Sequence, residues 1–165
     1  MNLDKFSPVN SRSGICSRYI QISETHGVKL YRNARIRDLN YKRQCVAFAH
    51  DIGVAADEPF ETDWCGIHWY GFRTEHVEEI SSRSLSFAEN REARLRISPI
   101  AEQCFGLLCN GDYHSDNIGR HKGKYVAVDF SHQRDKFQAN LHIYDTVPTE
   151  LCEDNRVISA YVVPT

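Results

Sequence analysis

Short stretches in which apolar and polar residues alternate, each bounded by turn-forming residues, recur along the chain and predict β-strands. Residues 19–22 and 28–31 have this pattern, and the segment 24–27 between them is typical of a hairpin turn. Residues 67–72 and 125–128 are further strand-like runs. The chain is therefore predicted to contain several short strands, some of them joined by tight turns.

Two segments instead repeat apolar residues at intervals of three and four, as an amphipathic helix does. The first helix is predicted over residues 36–51, with Gly53 suited to its carboxyl cap; the apolar residues Tyr41, Cys45, Phe48 and Ile52 recur there at helical spacing. The second is predicted to begin at Ser98 and Pro99; its apolar residues are Ile100, Cys104, Leu107 and Leu108. Two more strand-like runs follow at residues 140–144 and 157–163. This succession of strands and helices predicts an α+β domain.

The composition of the 165 residues is that of one globular domain, with 41% apolar and 25% charged residues. Basic and acidic residues are interleaved and the net charge is −2, which argues against binding of nucleic acid through a basic surface. No apolar run approaches the ~20 residues of a membrane-spanning helix. The amino terminus lacks the apolar stretch of a Sec signal peptide. We therefore expect a protein that works in a cytoplasm, with no nucleic-acid or membrane partner.

The six cysteines, at positions 16, 45, 65, 104, 109 and 152, include no C-x-x-C pair. Most lie in apolar stretches, and no secretion signal accompanies them. We expect reduced and mostly buried thiols rather than disulfides. No zinc site is expected, because the spacing of zinc ligands is missing.

The residues with the clearest chemical potential lie in one loop and at the end of the strand that follows it. The loop reads G-D-Y-H-S-D-N-I-G at residues 111–119, and the strand at 125–128 is followed by Asp129 and Phe130. This arrangement resembles the protein-kinase-like superfamily. It is most similar to the catalytic loop of aminoglycoside and choline phosphotransferases, which reads G-D-x-H-x-x-N before a strand and D-F. The resemblance is strong over residues 111–130 and weak over the chain before them.

The resemblance implies transfer of the γ-phosphoryl group of ATP, a reaction that depends on positioning and on neutralised charge. Asp112 would be the catalytic carboxylate that orients the attacking hydroxyl and accepts its proton. Asn117 and Asp129 would hold Mg²⁺ through the hard oxygen ligands that this ion prefers. His114, also assigned to the catalytic site, stands where serine/threonine kinases carry a lysine that contacts the γ-phosphate. Small-molecule kinases often have histidine there, so His114 leaves the substrate class open.

The amino-terminal half is expected to supply the other phosphate contacts of such a fold. Residues 11–17, with Gly14, would form a phosphate-covering turn through backbone N–H groups, or else a simple surface turn. Lys29 would bind the α- and β-phosphates; the alternative is an edge-strand lysine that discourages aggregation. In the family an acidic residue of the next helix holds this lysine. The first predicted helix contains no glutamate, so Asp38 and Gln44 both stay open as its partner.

The strand at 67–72 is expected to run into the hinge of a kinase-like fold. There the backbone between Glu75 and Val77 would bind the adenine of ATP, and the alternative is an aromatic edge strand. Two departures from the family pattern lie near the catalytic loop. Asn110 takes the place of a histidine or arginine, and Ser131 takes the place of the glycine in Asp-Phe-Gly.

The expected organisation is one minimal, two-lobed kinase-like domain over residues 1–165. Residues 1–77 would form the small lobe and hinge, and residues 78–165 a much reduced large lobe. Only 36 residues, 130–165, follow Asp129, so the helices of a full large lobe are not expected. This size resembles the minimal kinases of bacterial effectors and phages; the alternative is truncation of a longer protein.

The function predicted from this resemblance is an ATP- and Mg²⁺-dependent serine/threonine protein kinase of the effector or phage type. Its substrate would be a protein of a host cell, and its location a cytoplasm, including a host cytoplasm reached by a non-Sec route. Two alternatives stay open. A small-molecule kinase is favoured by His114 and the G-D-x-H-x-x-N form, and a nucleotide-binding pseudokinase is favoured by the missing glutamate and the glycine-poor turn. The host and the oligomeric state are left open.

Overall fold

The computed structural model describes residues 1–7, 12–13, 17–105 and 117–129. These residues form antiparallel sheets and three helices, which confirms the predicted α+β class. The strands are β1 Arg12–Ser13, β2 Ser17–Gln21, β3 His26–Tyr31, β4 Phe60–Trp64, β5 Ile67–Glu75, β6 Glu79–Ile80, β7 Ile118–His121 and β8 Lys124–Ala127. The helices are α1 Ala34–Ala49, α2 Ser81–Ser84 and α3 Phe87–Phe105.

The chain divides into two compact units. The first unit comprises the described residues of 1–41 and 56–76, and the second those of 42–55 and 77–129. One division falls within α1, and another falls directly after β5.

The first unit contains a five-stranded sheet in the order β1-β2-β3-β5-β4, and every neighbouring pair in it is antiparallel. The predicted hairpin around residues 24–27 is confirmed, since it joins β2 to β3. The predicted strand at 67–72 is also confirmed and extends to Glu75 as β5. Strand β4 was not predicted, and helix α1 lies between β3 and β4 in the chain.

One face of this sheet is covered by the amino-terminal residues of the chain. The core cluster there consists of Leu3, Ile20, Val28, Leu30, Trp64 and Trp69. The indole N–H of Trp64 donates to the carbonyl of Phe6 at 3.0 Å, and the hydroxyl of Thr62 donates to the carbonyl of Met1 at 2.7 Å. Burial of these apolar side chains is the main stabilising term for the sheet.

Helix α1 has a clear cap at each end. The side-chain oxygen of Asn33 accepts hydrogen bonds from two N–H groups of the first turn, at 2.9 and 3.3 Å. At the other end Asp51 is left-handed (φ 62°), and the N–H of Ile52 bonds to the carbonyl of Ala47 at 2.9 Å, as in a Schellman motif. The prediction that Gly53 caps the helix is therefore wrong by two residues, because Asp51 takes the left-handed position.

The buried face of α1 also differs from the prediction, because Phe48 is 55% exposed. The buried residues of α1 are Ile36, Leu39, Asn40, Arg43, Gln44 and Ala47. Half of them are polar, so the apolar spacing in the sequence did not identify the face that packs.

The second unit contains the three-stranded sheet β6-β7-β8, also antiparallel. Its apolar cluster consists of Val54, Val77, Ile80 and Val126, with Val128 packed against them. The N–H of Ala127 on β8 donates to the carbonyl of Ile52 at 2.8 Å, which ties the hairpin to the residues after α1.

Helix α3 begins eleven residues before the predicted start at Ser98, and Pro99 lies inside it. A capping box sets the true start: the N–H of Glu89 donates to the hydroxyl of Ser86 at 3.1 Å, and the N–H of Ser86 donates to the carboxylate of Glu89 at 3.0 Å. The buried residues of α3 are Ala93, Ile97, Ala101 and Phe105. Pro99 lies on the exposed side of this stripe, where the lost hydrogen bond of a proline meets solvent.

None of the helices in the described ranges combines the length and the apolar character that a membrane crossing requires. The described cysteines Cys45, Cys65 and Cys104 are free. Cys65 is exposed and the other two are half-buried, so the expectation of buried thiols is wrong for Cys65. The strand-like runs predicted at 140–144 and 157–163 lie outside the described residues.

Candidate functional site

Lys29 lies on β3, in the interior of the five-stranded sheet, with β2 on one side and β5 on the other. The register places Tyr19 of β2 and Phe72 of β5 directly opposite Lys29. An interior strand has no unpaired edge to protect. The alternative interpretation of Lys29 as an edge-strand lysine is therefore excluded.

Lys29 points away from the core cluster, because its neighbours on β3 belong to that cluster and successive side chains alternate between faces. Its own face is lined by aromatic rings. Tyr31 and Phe72 stack with their centroids 6.0 Å apart, and Tyr41 of α1 meets Phe72 edge-on at 5.4 Å. Lys29 is thus half-buried on the face of the sheet that α1 approaches.

The two residues considered as partners of Lys29 each have other contacts. The carboxylate of Asp38 is exposed and pairs with Arg37 at 2.5 Å. The guanidinium of Arg37 also donates to the carbonyl of Phe60 at 2.9 Å. Gln44 is buried, and its amide donates to the carbonyl of Val54 at 2.7 Å. Gln44 carries only a neutral amide.

The predicted hinge, Glu75 to Val77, follows the end of β5. Glu75 is the last residue of that strand and pairs with His26. The N–H of His76 donates to the carbonyl of Thr25 at 2.8 Å, so this donor is already engaged. Val77 is buried in the apolar cluster of the second unit.

The predicted magnesium ligands lie at the open end of the β7–β8 hairpin. Lys122 and Gly123 form its two-residue turn with φ values of 50° and 79°, which confirms the predicted turn and matches type I′. One step beyond the last strand pair, the N–H of Val128 donates to the carbonyl of Asn117 at 2.8 Å. Asn117 therefore lies opposite Val128, and Asp129 is the next residue along the same strand direction.

The side chains at this end of the hairpin carry oxygen atoms of the kind that bind a hard divalent cation. Asn117 offers an amide oxygen and Asp129 a carboxylate, and both residues are half-buried. Mg²⁺ is commonly bound by one or two such side chains, with phosphates and waters as its remaining ligands. Within the described ranges, no group of three or more histidine, cysteine, aspartate or glutamate side chains is arranged to hold a metal by itself.

Ion pairs brace the hairpin on its β7 side. Arg120 donates to the carboxylate of Glu79 on β6 at 2.7 Å and to that of Glu89 on α3. The hydrogen bonds to Glu79 and Glu89 raise the pKa of Arg120 further above its usual value. The pKa of Glu89 is lowered by the N–H of Ser86 first and by Arg120 second. One arginine thus links β7 to two other elements of the second unit.

Strand β8 is braced in a similar way by Asp51, the left-handed residue two positions after the end of α1. Lys124 donates to its carboxylate at 2.8 Å, and this hydrogen bond is the main cause that lowers the pKa of Asp51. Arg96 of α3 donates to the carbonyls of Asp51 and Tyr125, each at 2.7 Å. These contacts fix the hairpin whose open end carries Asn117 and Asp129.

Gly119, two residues after Asn117, allows β6 and β7 to approach closely. A Cβ atom there would lie 2.6 Å from the carbonyl oxygen of Glu79 and 2.9 Å from the side chain of Val77. We expect Gly119→Ala to lower the free energy of unfolding by about 1–3 kcal/mol, because the strands must separate to admit the methyl group. Urea titration followed by circular dichroism measures this. Equal stability of the Gly119→Ala and wild-type proteins would contradict the close contact.

Three of the predicted site residues, Asp112, His114 and Gly14, lie outside the described residues. Lys29, Glu75, Val77, Asn117 and Asp129 are all described. Sequence reasoning missed Tyr19 and His76, which are joined by a hydrogen bond of 2.7 Å although they are 57 residues apart. Only the pairing of β2, β3 and β5 brings these two residues together, and no local sequence pattern predicts that contact.

Comparison with known protein families finds no matching family model, and comparison with curated proteins finds no match.

Proposed function

We propose that this chain is an ATP- and Mg²⁺-dependent phosphotransferase of kinase-like fold that phosphorylates serine or threonine in a protein. The observation that carries the proposal is the hairpin end at Asn117 and Asp129. Asn117 directly precedes β7, and Asp129 follows the end of β8 by two residues. The hydrogen bond between the N–H of Val128 and the carbonyl of Asn117 joins these two ends of the hairpin. The resemblance of residues 111–130 assigns the metal to this same amide and carboxylate.

The first unit supports the proposal through the order of its elements. The hairpin of β2 and β3, which carries Lys29, is followed by α1, then by β4 and β5, and then by a connector. The resemblance implies a lysine-bearing strand, then a helix, then a strand that runs into a hinge, and this order contains those three elements in sequence. Lys29 occupies the strand before the helix, as the phosphate-binding lysine would. Because Lys29 is half-buried on an interior strand, the backbone that carries its side chain is held in place by strands on both sides.

In the proposed reaction a new P–O bond forms between the acceptor oxygen and the γ-phosphorus as the bond to the β–γ bridging oxygen breaks, and ADP leaves. Asp112 would orient the acceptor hydroxyl and accept its proton. Lys29 would bind the α- and β-phosphates through charge-assisted hydrogen bonds. Mg²⁺ held by Asn117 and Asp129 would neutralise phosphate charge.

A pseudokinase, which binds nucleotide without turnover, is the second candidate, and the surroundings of α1 favour it. Asp38 pairs with Arg37 in solvent, and Gln44 carries no charge. Helix α1 carries no glutamate, the residue type that the resemblance places on this helix to hold the lysine of an active kinase.

A single incubation separates these functions. The protein is mixed with cell extract, Mg²⁺ and ATP labelled at the γ-phosphate, beside an Asp112→Ala variant. Label on a discrete protein band, on serine or threonine and absent with the variant, is the expected result. Label only on a compound of low molecular weight would indicate a small-molecule kinase. Absence of label together with Mg²⁺-dependent ATP binding would indicate the pseudokinase.

A further inference from the structure

The aromatic ring of Tyr19 covers the backbone of Gly27 on the face of the sheet that carries Lys29. Tyr19 is directly opposite Lys29 in the β2–β3 register, so both side chains point to the same face. The ring leans along β3 toward Gly27, which lies on that face two residues before Lys29. A Cβ atom on Gly27 would lie only 2.0 Å from the hydroxyl oxygen of Tyr19 and 2.2 Å from its ring. While the Tyr19 ring lies there, position 27 has no room for a side chain.

The hydroxyl of Tyr19 holds the ring in this position through His76. The hydroxyl oxygen lies 2.7 Å from Nδ1 of His76, and the two rings are stacked at 17° with centroids 5.9 Å apart. His76 is itself fixed to the β2–β3 hairpin, because its N–H donates to the carbonyl of Thr25 at 2.8 Å. We call the pair of Tyr19 and His76 the latch. It links β2 to the residue that follows β5.

The latch lies where the proposed function places the base of ATP. Gly27 of β3 pairs with Thr74 of β5, and Lys29 pairs with Phe72. The pair of Gly27 and Thr74 therefore lies between the pair of Lys29 and Phe72 and the connector that begins at His76. Two residues along a strand correspond to about 7 Å. A nucleotide whose phosphates reach Lys29 and whose base reaches the connector must therefore lay the base over Gly27. The ring of Tyr19 occupies that surface.

We propose that the latch closes the purine subsite and that Tyr19 must swing off Gly27 before ATP can bind; this inference rests on the proposed function. The exposed backbone of Gly27 then becomes the floor on which the flat base lies. Opening breaks the hydrogen bond between Tyr19 and His76. Each ATP molecule that binds must supply the free energy of this opening, so the latch lowers the apparent affinity for ATP.

Tyr19→Phe tests the latch because it removes the hydroxyl and retains the ring. We expect Mg·ATP to bind this variant about three- to tenfold more tightly, the factor that corresponds to one neutral hydrogen bond. The matched control is Tyr125→Phe, which removes a hydroxyl that donates to Glu92 in the second unit and should leave the affinity unchanged. Isothermal calorimetry measures all three proteins.

A second readout follows the hydrogen bond itself by ¹⁵N NMR of the His76 ring. Saturation with Mg·ATP should move the Nδ1 resonance of the wild type to its position in Tyr19→Phe. If the wild type binds Mg·ATP and Tyr19→Phe binds it no better, the latch is wrong while the proposed function stands. An Nδ1 resonance that stays at its nucleotide-free position at saturation would also overturn the latch. Absence of binding by both proteins would overturn the proposed function and the latch together.

Discussion

Replacement of Asp129 by alanine is expected to abolish phosphoryl transfer, by a factor of at least about a hundred, while the protein stays folded. The reason is that Asp129 would supply a carboxylate ligand to Mg²⁺ at the hairpin end, and its loss would leave the negative charge of the phosphates without a metal to neutralise it. Asp129 follows the last strand residue, Ala127, by two positions, so the β7–β8 ladder does not depend on its side chain. Initial rates with γ-labelled ATP measure the effect, and far-ultraviolet circular dichroism verifies folding.

The control for this variant is Asp63→Ala, which removes an exposed carboxylate of β4 that contacts His68. Transfer by this control should remain at the wild-type rate. An Asp129→Ala protein that transfers phosphate at near the wild-type rate would show that the metal site is wrongly assigned.

The second large effect is expected at Lys29. Lys29→Met retains the length and most of the volume of the side chain but removes the ammonium group. We expect the Kd for Mg·ATP to rise about tenfold or more, because a hydrogen bond to a charged group contributes about 1.5–3 kcal/mol. The free energy of unfolding should change by less than about 1 kcal/mol, since the side chain is only half-buried.

Lys42→Met serves as the control, because Lys42 is an exposed lysine of α1. Its affinity for Mg·ATP should match that of the wild type. Equal ATP affinity in Lys29→Met and the wild type would remove Lys29 from the phosphate site and leave it as a structural residue of the sheet.

The parts of the fold that the sequence predicted correctly depend on local signals. The β2–β3 hairpin is marked by a polar turn between two alternating strands, and the β7–β8 hairpin by Lys122 and Gly123. This second hairpin also places Asn117 opposite Val128, the residue before Asp129, so the proximity of the two predicted metal ligands followed from the sequence once the turn was identified.

The errors in the predicted fold have two causes, which are competing local signals and tertiary packing. Ser98 and Pro99 look like a helix start, yet the capping box of Ser86 and Glu89 begins α3 earlier and was also visible in the sequence. The exposure of Phe48 was not foreseeable, because polar residues take much of the buried face of α1. Strand β4 alternates buried and exposed residues over only five positions, a pattern too short to stand out.

The latch could not be predicted from the sequence for a different reason. Tyr19 and His76 are separated by 57 residues and meet only because β2 and β5 both flank β3. Contacts of this kind follow from the order and register of the strands in the sheet. Local patterns in a single sequence do not show this order.

The central claim is that the chain binds ATP through a magnesium ion held at Asn117 and Asp129. Calorimetric titration of the wild-type protein with ATP, in Mg²⁺ and again in excess EDTA, tests it most directly. The account predicts saturable one-to-one binding in Mg²⁺ that is lost in EDTA and in Asp129→Ala. Failure of the wild-type and the Tyr19→Phe proteins to bind ATP in Mg²⁺ would contradict the account as a whole.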